Sequence, residues 1–430
     1  MRIGLEVHVA LPTKSKLFCS CSTEDETPNS AICPICMGFP GSKPVLNKGA
    51  LEVAVNVANA LECRVNQKIS FIRKVYFYPD LPKSFQISQL DGSVGFSGRV
   101  RISASGINKY IGITRIQLEE DPAKVVRGDD YCLLDFNRSG IPLVEIVTEP
   151  DIASEEELYA FMNELRDILY YLGIDVDKEM KADLNISTYG DKVEIKNVLG
   201  IKNLIDAQRF ELKRQEELNA SGQKIRLETR SYDETKMETR SSREKESNEE
   251  YGFVFEPDLS FYSTEWVKRE KPIIPSAIAK DYATSYSYEE KPIYEAIKSD
   301  RDAFRLIEAA KDECNMRFII NVIGILKRNS KLDISTEVFK KLVSISDSGM
   351  TVTEKMIADA EAGLEIRKSR ISEEDIKRMI VEEIGDMEKF SEEIKDNPKR
   401  INSIIGRVSK KSGANPKDIM EIALKMLGKQ

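Results

Sequence analysis

Histidine is scarce in this sequence: its 430 residues contain one, His8. A Ser-His-Asp triad, an H-E-x-x-H zinc site or a multi-histidine metal centre would each have to use it. The sequence also lacks a G-x-x-x-x-G-K-[ST] loop and a G-x-G-x-x-G motif after a strand, the signatures of P-loop and Rossmann nucleotide sites. These absences exclude most familiar hydrolase chemistries, and any nucleotide must be held in another way.

Long apolar runs are missing as well, and no secretory leader is expected. The longest apolar stretch, residues 318–326, is interrupted by Asn321 and Gly324, and it is far shorter than the roughly 20 residues that cross a bilayer. The amino terminus enters an alternating strand pattern without an apolar leader segment. We therefore expect a cytoplasmic protein with no membrane partner.

The composition is typical of a folded globular protein, with 41% hydrophobic and 32% charged residues. The length corresponds to roughly three average domains, which excludes a single small module and leaves room for a large catalytic unit with appended domains. The formal net charge of −8 argues against a chain that is basic throughout, but it permits a local basic surface on an acidic body.

Hydrophobic periodicity predicts an α+β protein, with a β-rich mixed sheet first and helices after it. Alternating residues predict strands over residues 3–9, 99–103, 110–118, 133–137 and 141–149. Arg138-Ser139-Gly140 is expected to join the last two strands as a hairpin. Ser154 and Glu157 form a capping box before a long amphipathic helix. Helical periodicity dominates after Pro275, and three apolar stripes near the carboxyl end predict a small bundle.

A charge-rich, apolar-poor segment occupies residues 208–250. It predicts a helix to Asn219, a stop near Gly222 and a short strand over residues 225–232. Its plainest interpretation is solvated surface.

Four of the seven cysteines are closely spaced: Cys19, Cys21, Cys33 and Cys36 form C-x-C and C-P-I-C pairs separated by eleven residues. This pattern brings four thiolates from two short knuckles around one tetrahedral ion, and it predicts a structural zinc site with no open position for water. A disulfide is the weaker alternative without a secretory leader. Reduced cysteines without metal are a third interpretation, because C-x-C is tighter than the usual zinc spacing.

The first strand carries two metal-competent groups on one face. Because side chains alternate along a strand, Glu6 and His8 lie opposite the apolar residues between them. An ordinary polar strand face is the alternative. Further carboxylates stand in or next to apolar strands, where burial is costly unless they are paired or coordinated: Glu119, Glu120, Asp121, Asp135 and Glu145, with Asn137 and Asp135 expected beside Glu145 through the hairpin. Oxygen ligands with one imidazole favour Mg²⁺ or Mn²⁺, which usually serves a phosphate substrate.

The segment 73–86 interleaves three cations with four aromatic residues and two prolines. Such a loop can position phosphates and stack a base. The alternative is a proline-stiffened loop whose aromatic side chains pack on the sheet.

The carboxyl-terminal residues 395–430 carry nine Lys or Arg against three Asp or Glu, a local charge of +6. This is the electrostatic footprint of a nucleic-acid contact, although a solvated helical face without a partner has the same composition. The candidate phosphate contacts surround the turn at residues 412–415, and they are Arg407, Lys410, Lys411 and Lys417.

Five long segments together resemble the GatB family, the B subunits of the aspartyl/glutamyl-tRNA amidotransferases. They are IGLEVHVAL, YFYPDLPKSFQISQ, IGITRIQLEEDPAK, LLDFNRSGIPLVEIVTEPDI and KKSGANPK. They occur in the family's order, and the resemblance covers essentially the whole chain. It implies a β-rich catalytic cradle over residues 1–275 with a zinc knuckle near 19–36, a helical domain over 276–366 and a small tRNA-binding helical tail over 367–430. The related GatE proteins have a large inserted domain, for which this chain has no room.

The resemblance also implies an activity and its partners. The family converts misacylated Glu-tRNA(Gln) or Asp-tRNA(Asn) in two steps: ATP phosphorylates the side-chain carboxylate, and ammonia from a partner's glutaminase reaction displaces the phosphate. The partners are an amidase, which is the A subunit, and the small C subunit, and the cofactors are ATP, Mg²⁺ and a structural Zn²⁺. By this resemblance the magnesium ligands are Glu6, His8, Glu119, Glu120 and Glu145. The expected catalytic residues are Glu6, His8, Glu120, Glu145 and Lys83, and the expected ATP contacts are Arg73 and Lys83.

The sequence departs from the family in two loops. Gly252 and Phe255 stand where an arginine and a proline are usual in the family, and Lys181 and Ala182 stand where its bacterial members have arginine and cysteine. We assign no ATP or tRNA contact there. A tRNA-binding adaptor that has lost catalysis is therefore the second hypothesis.

Overall fold

The computed structural model describes residues 1–25, 27–104, 106–128, 130–174, 180–244, 252–364, 373–385, 390, 400–412 and 416–426. The chain divides into two compact units, Met1–Ile274 and Pro275–Gln430. The first unit contains all the described strands, and the described part of the second is helical. The predicted α+β class is therefore confirmed.

The strands are numbered in chain order. They are β1 (Arg2–Ala10), β2 (Arg64–Val65), β3 (Lys68–Ile69), β4 (Ile72–Val75), β5 (Phe85–Ser88), β6 (Gly95–Ala104), β7 (Ile107–Glu120), β8 (Lys124–Arg127), β9 (Cys132–Asp135), β10 (Pro142–Thr148), β11 (Lys181–Ser187), β12 (Val193–Leu199), β13 (Glu228–Asp233), β14 (Glu238–Glu244), β15 (Gly252–Phe255) and β16 (Tyr262–Ser263). Nine of them form a sheet in the order β14-β13-β12-β11-β1-β10-β7-β6-β2. Its neighbours are antiparallel except β12 and β13, so the sheet is mixed. Smaller sheets have the orders β15-β4-β5, β16-β3 and β8-β9.

Three helices cover one face of the large sheet: α1 (Lys48–Ala60), α2 (Glu155–Tyr171) and α3 (Ile201–Ala220). Their apolar stripes pack with the alternate buried residues of β1, which are Ile3, Leu5, Val7 and Val9. As predicted, the Ser154 side chain caps α2 by accepting a hydrogen bond from the Glu157 amide. Because one sheet face is used for this core, the intervening residues, Glu6 and His8, lie on the other face.

The second unit contains nine helices among its described residues. They are α4 (Pro275–Ser285), α5 (Glu290–Ile297), α6 (Arg301–Ala310), α7 (Met316–Arg328), α8 (Thr336–Asp347), α9 (Glu354–Glu361), α10 (Glu373–Ile384), α11 (Arg400–Ser412) and α12 (Pro416–Met426). One hydrophobic cluster joins α4 to α9, and a separate one joins α10 to α12. The three-part division at residues 275 and 366 stays a proposal. Among the described helices, none is both long and apolar enough to cross a membrane.

The predicted hairpin around Arg138-Ser139-Gly140 is wrong. Strand β9 pairs with β8, whereas β10 lies between β1 and β7. The Gly140 amide donates to the carbonyl of Asp121, and its own carbonyl accepts from Leu17. The turn is therefore hydrogen-bonded to Asp121, just after β7, and to Leu17, just before the knuckle. Strand β10 pairs with the longer strands β1 and β7, and β9 is left to pair with β8.

Solvated surface is also wrong for part of the segment 208–250. Helix α3 runs to Ala220, and β13 begins at residue 228 rather than 225 before pairing with β14. The Glu211 carboxylate is completely buried and accepts from Arg214 and Gln215. Its charge is tolerated there because these partners satisfy it.

Candidate active site and metal centre

The polar face of the large sheet gathers residues that are far apart in the chain. Across the β1-β10 pair, His8 lies opposite Glu145, and across the β10-β7 pair Glu145 lies opposite Gln117. Glu119 is two residues beyond Gln117, so it points to the same face. Pairing of three strands thus places His8, Glu119 and Glu145 side by side.

These three residues form a compact trio in which one ligand atom from each lies within 4.8 Å of the others. His8 Nε2 is 3.3 Å from Glu119 Oε1 and 3.7 Å from Glu145 Oε1. Both glutamates are buried. Ser88 Oγ donates to Glu119 at 3.3 Å, and the Gln117 amide donates to Glu145. The carboxylates are therefore oriented by partners outside the trio.

The trio is electrostatically coupled. Burial alone would lower the pKa of His8, but the hydrogen bond and charge of Glu119 and the charges of Glu145 and Asp183 raise it to about 9. Burial raises the pKa of Glu145 to about 7, with the charge of Glu119 as the next cause. Burial would also raise the pKa of Glu119, but the hydrogen bond and charge of His8 lower it. An imidazole between two carboxylates provides the ligand types that suit a hard divalent cation.

The five predicted magnesium ligands do not form one set. Glu6 belongs to a neighbouring group with Asp183 and Glu194, whose ligand atoms lie within 4.8 Å of one another. Lys196 Nζ lies 2.8 Å from Asp183 and 2.5 Å from Glu194. Burial would lower the pKa of Lys196, but these two carboxylates raise it. A lysine ammonium therefore already neutralises much of this second group.

Glu120 points away from the trio and pairs with Lys83. The Lys83 ammonium lies 2.5 Å from the Glu120 carboxylate, which also accepts from the amide of Ile87 at 2.9 Å. Both side chains of the ion pair are buried. The strand β5 thus contacts both adjacent glutamates, Glu119 through Ser88 and Glu120 through Ile87.

Arg73 lies on β4 next to this pair. Its guanidinium makes two hydrogen bonds of 2.8 Å to Glu256 and one of 3.3 Å to Asp258. It also lies over the Phe85 ring, 4.4 Å from the centroid. Of the aromatic residues in the segment 73–86, Phe77 is 86% exposed, so this loop does not bury all of its rings on the sheet.

The four cysteines of the knuckle, residues 19–36, come together. One sulfur from each of Cys19, Cys21, Cys33 and Cys36 lies within 4.8 Å of the others, and the Cys33 and Cys36 sulfurs are 3.9 Å apart. A tetrahedral Zn–S₄ site has sulfurs about 3.8 Å apart, given Zn–S bonds of about 2.3 Å. The cluster can therefore hold a structural metal.

Asp135 and Asn137 form hydrogen bonds with the knuckle and do not lie beside Glu145, so their predicted position is wrong. Asp135 accepts from the Asn29 amide at 3.0 Å, and Asn137 accepts from the Ala31 amide at 2.8 Å. The Asn137 side chain also donates to the Thr27 carbonyl at 2.6 Å. The local hairpin on which the prediction depended does not form, and this loop instead braces the chain between the two cysteine pairs.

The predicted tRNA contacts are described only in part. Arg407, on α11, donates to Glu383 at 2.7 Å and is about half exposed. The side chains of Lys410, Lys411 and Lys417 lie outside the described residues, as does the turn at residues 413–415. The basic footprint of the tail stays a prediction.

Several site residues were not predicted from the sequence. Gln117, Asp183, Glu194 and Lys196 all lie on the polar face of the large sheet. The alternation of polar and apolar residues in β7, β11 and β12 is the signal that could have indicated them. Alternation alone could not have shown that these four side chains lie on the same sheet face as His8.

Comparison with known proteins identifies the family of this chain. Residues 1–268 match the family described as the GatB/GatE catalytic domain. The chain is 38% identical to the B subunit of the aspartyl/glutamyl-tRNA(Asn/Gln) amidotransferase of Sulfolobus acidocaldarius, with 100% of each chain covered. It is 36% identical to the protein of the same name from Saccharolobus solfataricus, covering 100% and 99%, and 36% identical to that from Elusimicrobium minutum, covering 99% and 98%. The resemblance is thereby confirmed, and the chain belongs to the GatB family, the B subunits of aspartyl/glutamyl-tRNA amidotransferases.

Proposed function

We propose that this protein uses ATP to phosphorylate the side-chain carboxylate of Glu-tRNA(Gln), Asp-tRNA(Asn) or both, and then transfers ammonia to the activated carbon. Its proposed partners are the amidase, or A subunit, that releases ammonia from glutamine, the small C subunit and the misacylated tRNA. The proposed place of action is the cytoplasm, where such tRNAs serve translation. The observation that carries the proposal is the trio of His8, Glu119 and Glu145 on the polar face of the sheet.

The chemistry explains why such a site is needed. A carboxylate is a poor electrophile, because its negative charge repels a nucleophile and it has no good leaving group. Transfer of the γ-phosphoryl group of ATP removes both obstacles, and ammonia then attacks the carbon while phosphate departs. Phosphoryl transfer depends mainly on positioning and on stabilising negative charge.

The trio fits Mg²⁺ by its donor set, so His8, Glu119 and Glu145 are the proposed ligands. When bound there, Mg²⁺ supplies charge neutralisation for the transferring phosphoryl group. Gln117 and Ser88 hold the two carboxylates in place. The predicted ligands Glu6 and Glu120 lie outside the trio. We propose that they act next to it, Glu6 within its group with Asp183 and Glu194, and Glu120 through its ion pair with Lys83.

The cations next to the trio have different proposed roles. Lys83 is paired with Glu120, the residue next to Glu119, and we propose that its ammonium contacts the phosphates or the acyl phosphate. Arg73 remains a proposed ATP contact. Its pairing with Glu256 and Asp258 also supports a role in positioning the segment 73–86. We propose Zn²⁺ as the metal of the four-cysteine knuckle, where it would be structural.

The test uses the complex reconstituted with the amidase and the small partner, misacylated tRNA and ATP. The substitutions His8→Ala and Glu145→Gln should each lower ATP-dependent amidation at least about 100-fold, because a ligand of the site is lost. Binding of tRNA should stay within about twofold, since the basic tail is untouched. Glu52→Gln, at an exposed position of α1, is the matched control and should keep full activity. Unchanged turnover in either site variant would contradict the proposal.

The same complex separates an enzyme from a tRNA-binding adaptor. An enzyme of this kind cleaves ATP in response to misacylated tRNA, and free ammonium should replace glutamine as the nitrogen donor. An adaptor would bind the tRNA in gel filtration without misacylation-dependent ATP cleavage. That result would favour the adaptor, which the altered loop with Gly252 and Phe255 would permit.

A further inference from the structure

Lys16 is a completely buried lysine beside the four-cysteine knuckle. Its exposed fraction is 0%, and it is among the largest fully buried side chains of the protein. Lysine is almost never fully buried without a partner, because its ammonium loses the hydration that stabilises its charge. A partner of opposite charge is therefore expected nearby.

The contacts of Lys16 point to the knuckle. Its Nζ donates to the carbonyl of Phe136 at 3.1 Å and lies 3.8 Å from the sulfur of Cys36. In the part of the chain that the structure describes, no carboxylate forms an ion pair with it. A carbonyl oxygen is a dipole and does not neutralise a charge, so the sulfur cluster is the group that can.

The charge of the cluster depends on its chemical state. Four thiols or two disulfides are neutral. Four thiolates around one divalent ion have a net charge of −2, since four negative charges exceed two positive ones. Of these states the metal-bound one has the largest negative charge, and it places that charge beside the buried ammonium.

The backbone holds Lys16 in this position. Its amide donates to the Cys21 carbonyl at 3.0 Å, and the next amide, of Leu17, donates to the Gly140 carbonyl at 2.8 Å. A side chain at Gly140 would crowd the lysine stem, because its Cβ would lie 3.3 Å from Lys16 Cδ, while Cys36 Cβ at 3.8 Å would be in ordinary contact. The lysine stem is thus packed against Gly140, next to the cysteine that its ammonium contacts.

We propose that Lys16 is the counter-cation of a metal–tetrathiolate site, and that its sulfur contact stabilises the metal-bound form of the knuckle. This inference rests on the proposed divalent metal and is independent of the proposed amidation. Lys16 positions and neutralises the site without being a metal ligand. The knuckle is accordingly built for a negatively charged complex.

The test measures metal retention and thermal unfolding of the full chain. Lys16→Met keeps the length and apolar stem of the side chain and removes the charge. In the zinc-loaded protein it should release zinc to a chelator at least about tenfold faster, and its melting temperature should fall. In protein stripped of zinc the sign should reverse: the variant should melt at or above the wild type, because the wild type then buries an ammonium beside a cluster that has lost most of its negative charge. Lys14→Met, at an exposed position two residues earlier, should match the wild type in both states.

A wild-type rate of zinc release from Lys16→Met would overturn the proposal. So would equal destabilisation with and without zinc, since that is the signature of lost packing. If Lys16→Met does not fold, Lys16→Gln takes its place, because it keeps a donor for the Phe136 carbonyl and lacks the charge. The same reversal is expected for it, and a failure to fold in both states would count as equal destabilisation. Amidation is not measured, so these outcomes are separate from those that test the proposed function.

Discussion

At the scale of single residues, the site is organised by charges that neutralise one another across strands. His8 lies between two buried glutamates, and Lys83 lies against Glu120. Lys196 bridges Asp183 and Glu194 on the same polar sheet face. Buried charges of this kind destabilise the fold when one partner is removed, because the remaining charge has lost both water and counter-ion.

Lys196→Met should therefore destabilise the protein. The substitution removes the ammonium that lies between Asp183 and Glu194, and about a third of the lysine side chain is exposed to solvent, so water offsets part of the loss. We expect a decrease of about 1–3 kcal/mol in the free energy of unfolding. Urea unfolding followed by circular dichroism measures it. Lys192→Met, an exposed lysine in the preceding loop, is the control, and an equal effect in both variants would contradict the bridging role.

At the scale of elements, the knuckle and the segment that carries Lys83 are in contact. Gly38 follows the second cysteine pair and has a φ of +68°, a conformation that favours glycine. An added Cβ would lie 2.5 Å from Lys83 Cγ and 3.0 Å from Lys83 Cα. The backbone at Gly38 is thus in close contact with Lys83 and fixes the position of its side chain.

Gly38→Ala should displace Lys83 and lower ATP-dependent amidation about tenfold or more, because small misplacements of catalytic groups are costly. It should also destabilise the fold by about 1–2 kcal/mol through its left-handed backbone. Gly41→Ala is the matched control: its φ is +80°, but its Cβ would meet nothing within 4 Å. Both variants should lose stability, Gly38→Ala more because of its contact with Lys83, and only Gly38→Ala should lose activity. Equal activity in both would contradict the seating of Lys83.

At the scale of the whole molecule, charge is distributed unevenly. The chain has a net charge of −8, whereas residues 395–430 sum to +6. An acidic body repels nucleic acid, so a basic segment would direct the tRNA to one end of the chain. Of the four predicted contacts, three fall within α11 and one, Lys417, within α12.

Replacing Lys410, Lys411 and Lys417 together by glutamine should weaken tRNA binding and make it less sensitive to salt. Each lost phosphate contact lowers the slope of log affinity against log salt by about 0.7–0.9, so the slope should decrease by about 2–3. Filter binding over a range of salt concentrations measures it. Lys425→Gln is the control, because Lys425 is already paired with Glu421 at 2.7 Å. An unchanged slope in the triple variant would refute the tail as a phosphate-binding surface.

Much of the architecture follows from the sequence because its signals are local. Alternation placed Glu6 and His8 on one face of β1, the Ser154 cap marked the start of α2, and cysteine spacing indicated the knuckle. These patterns depend on residues within a few positions of one another. The prediction of a hairpin at residues 138–140 was wrong for the opposite reason. Strand β10 pairs with β1 and β7, which no local pattern indicates, and not with the preceding strand β9.

The sequence by itself determined the α+β class, the family and the residue types available for a cation site. The tertiary structure decided which of them meet. It brought His8, Glu119 and Glu145 into one trio, moved Glu6 to a second group with Asp183 and Glu194, turned Glu120 to Lys83 and buried Lys16 beside Cys36. Strand register and burial cause this division, since β1 pairs with β10, whose residues lie more than 100 positions away, and no local pattern encodes that choice.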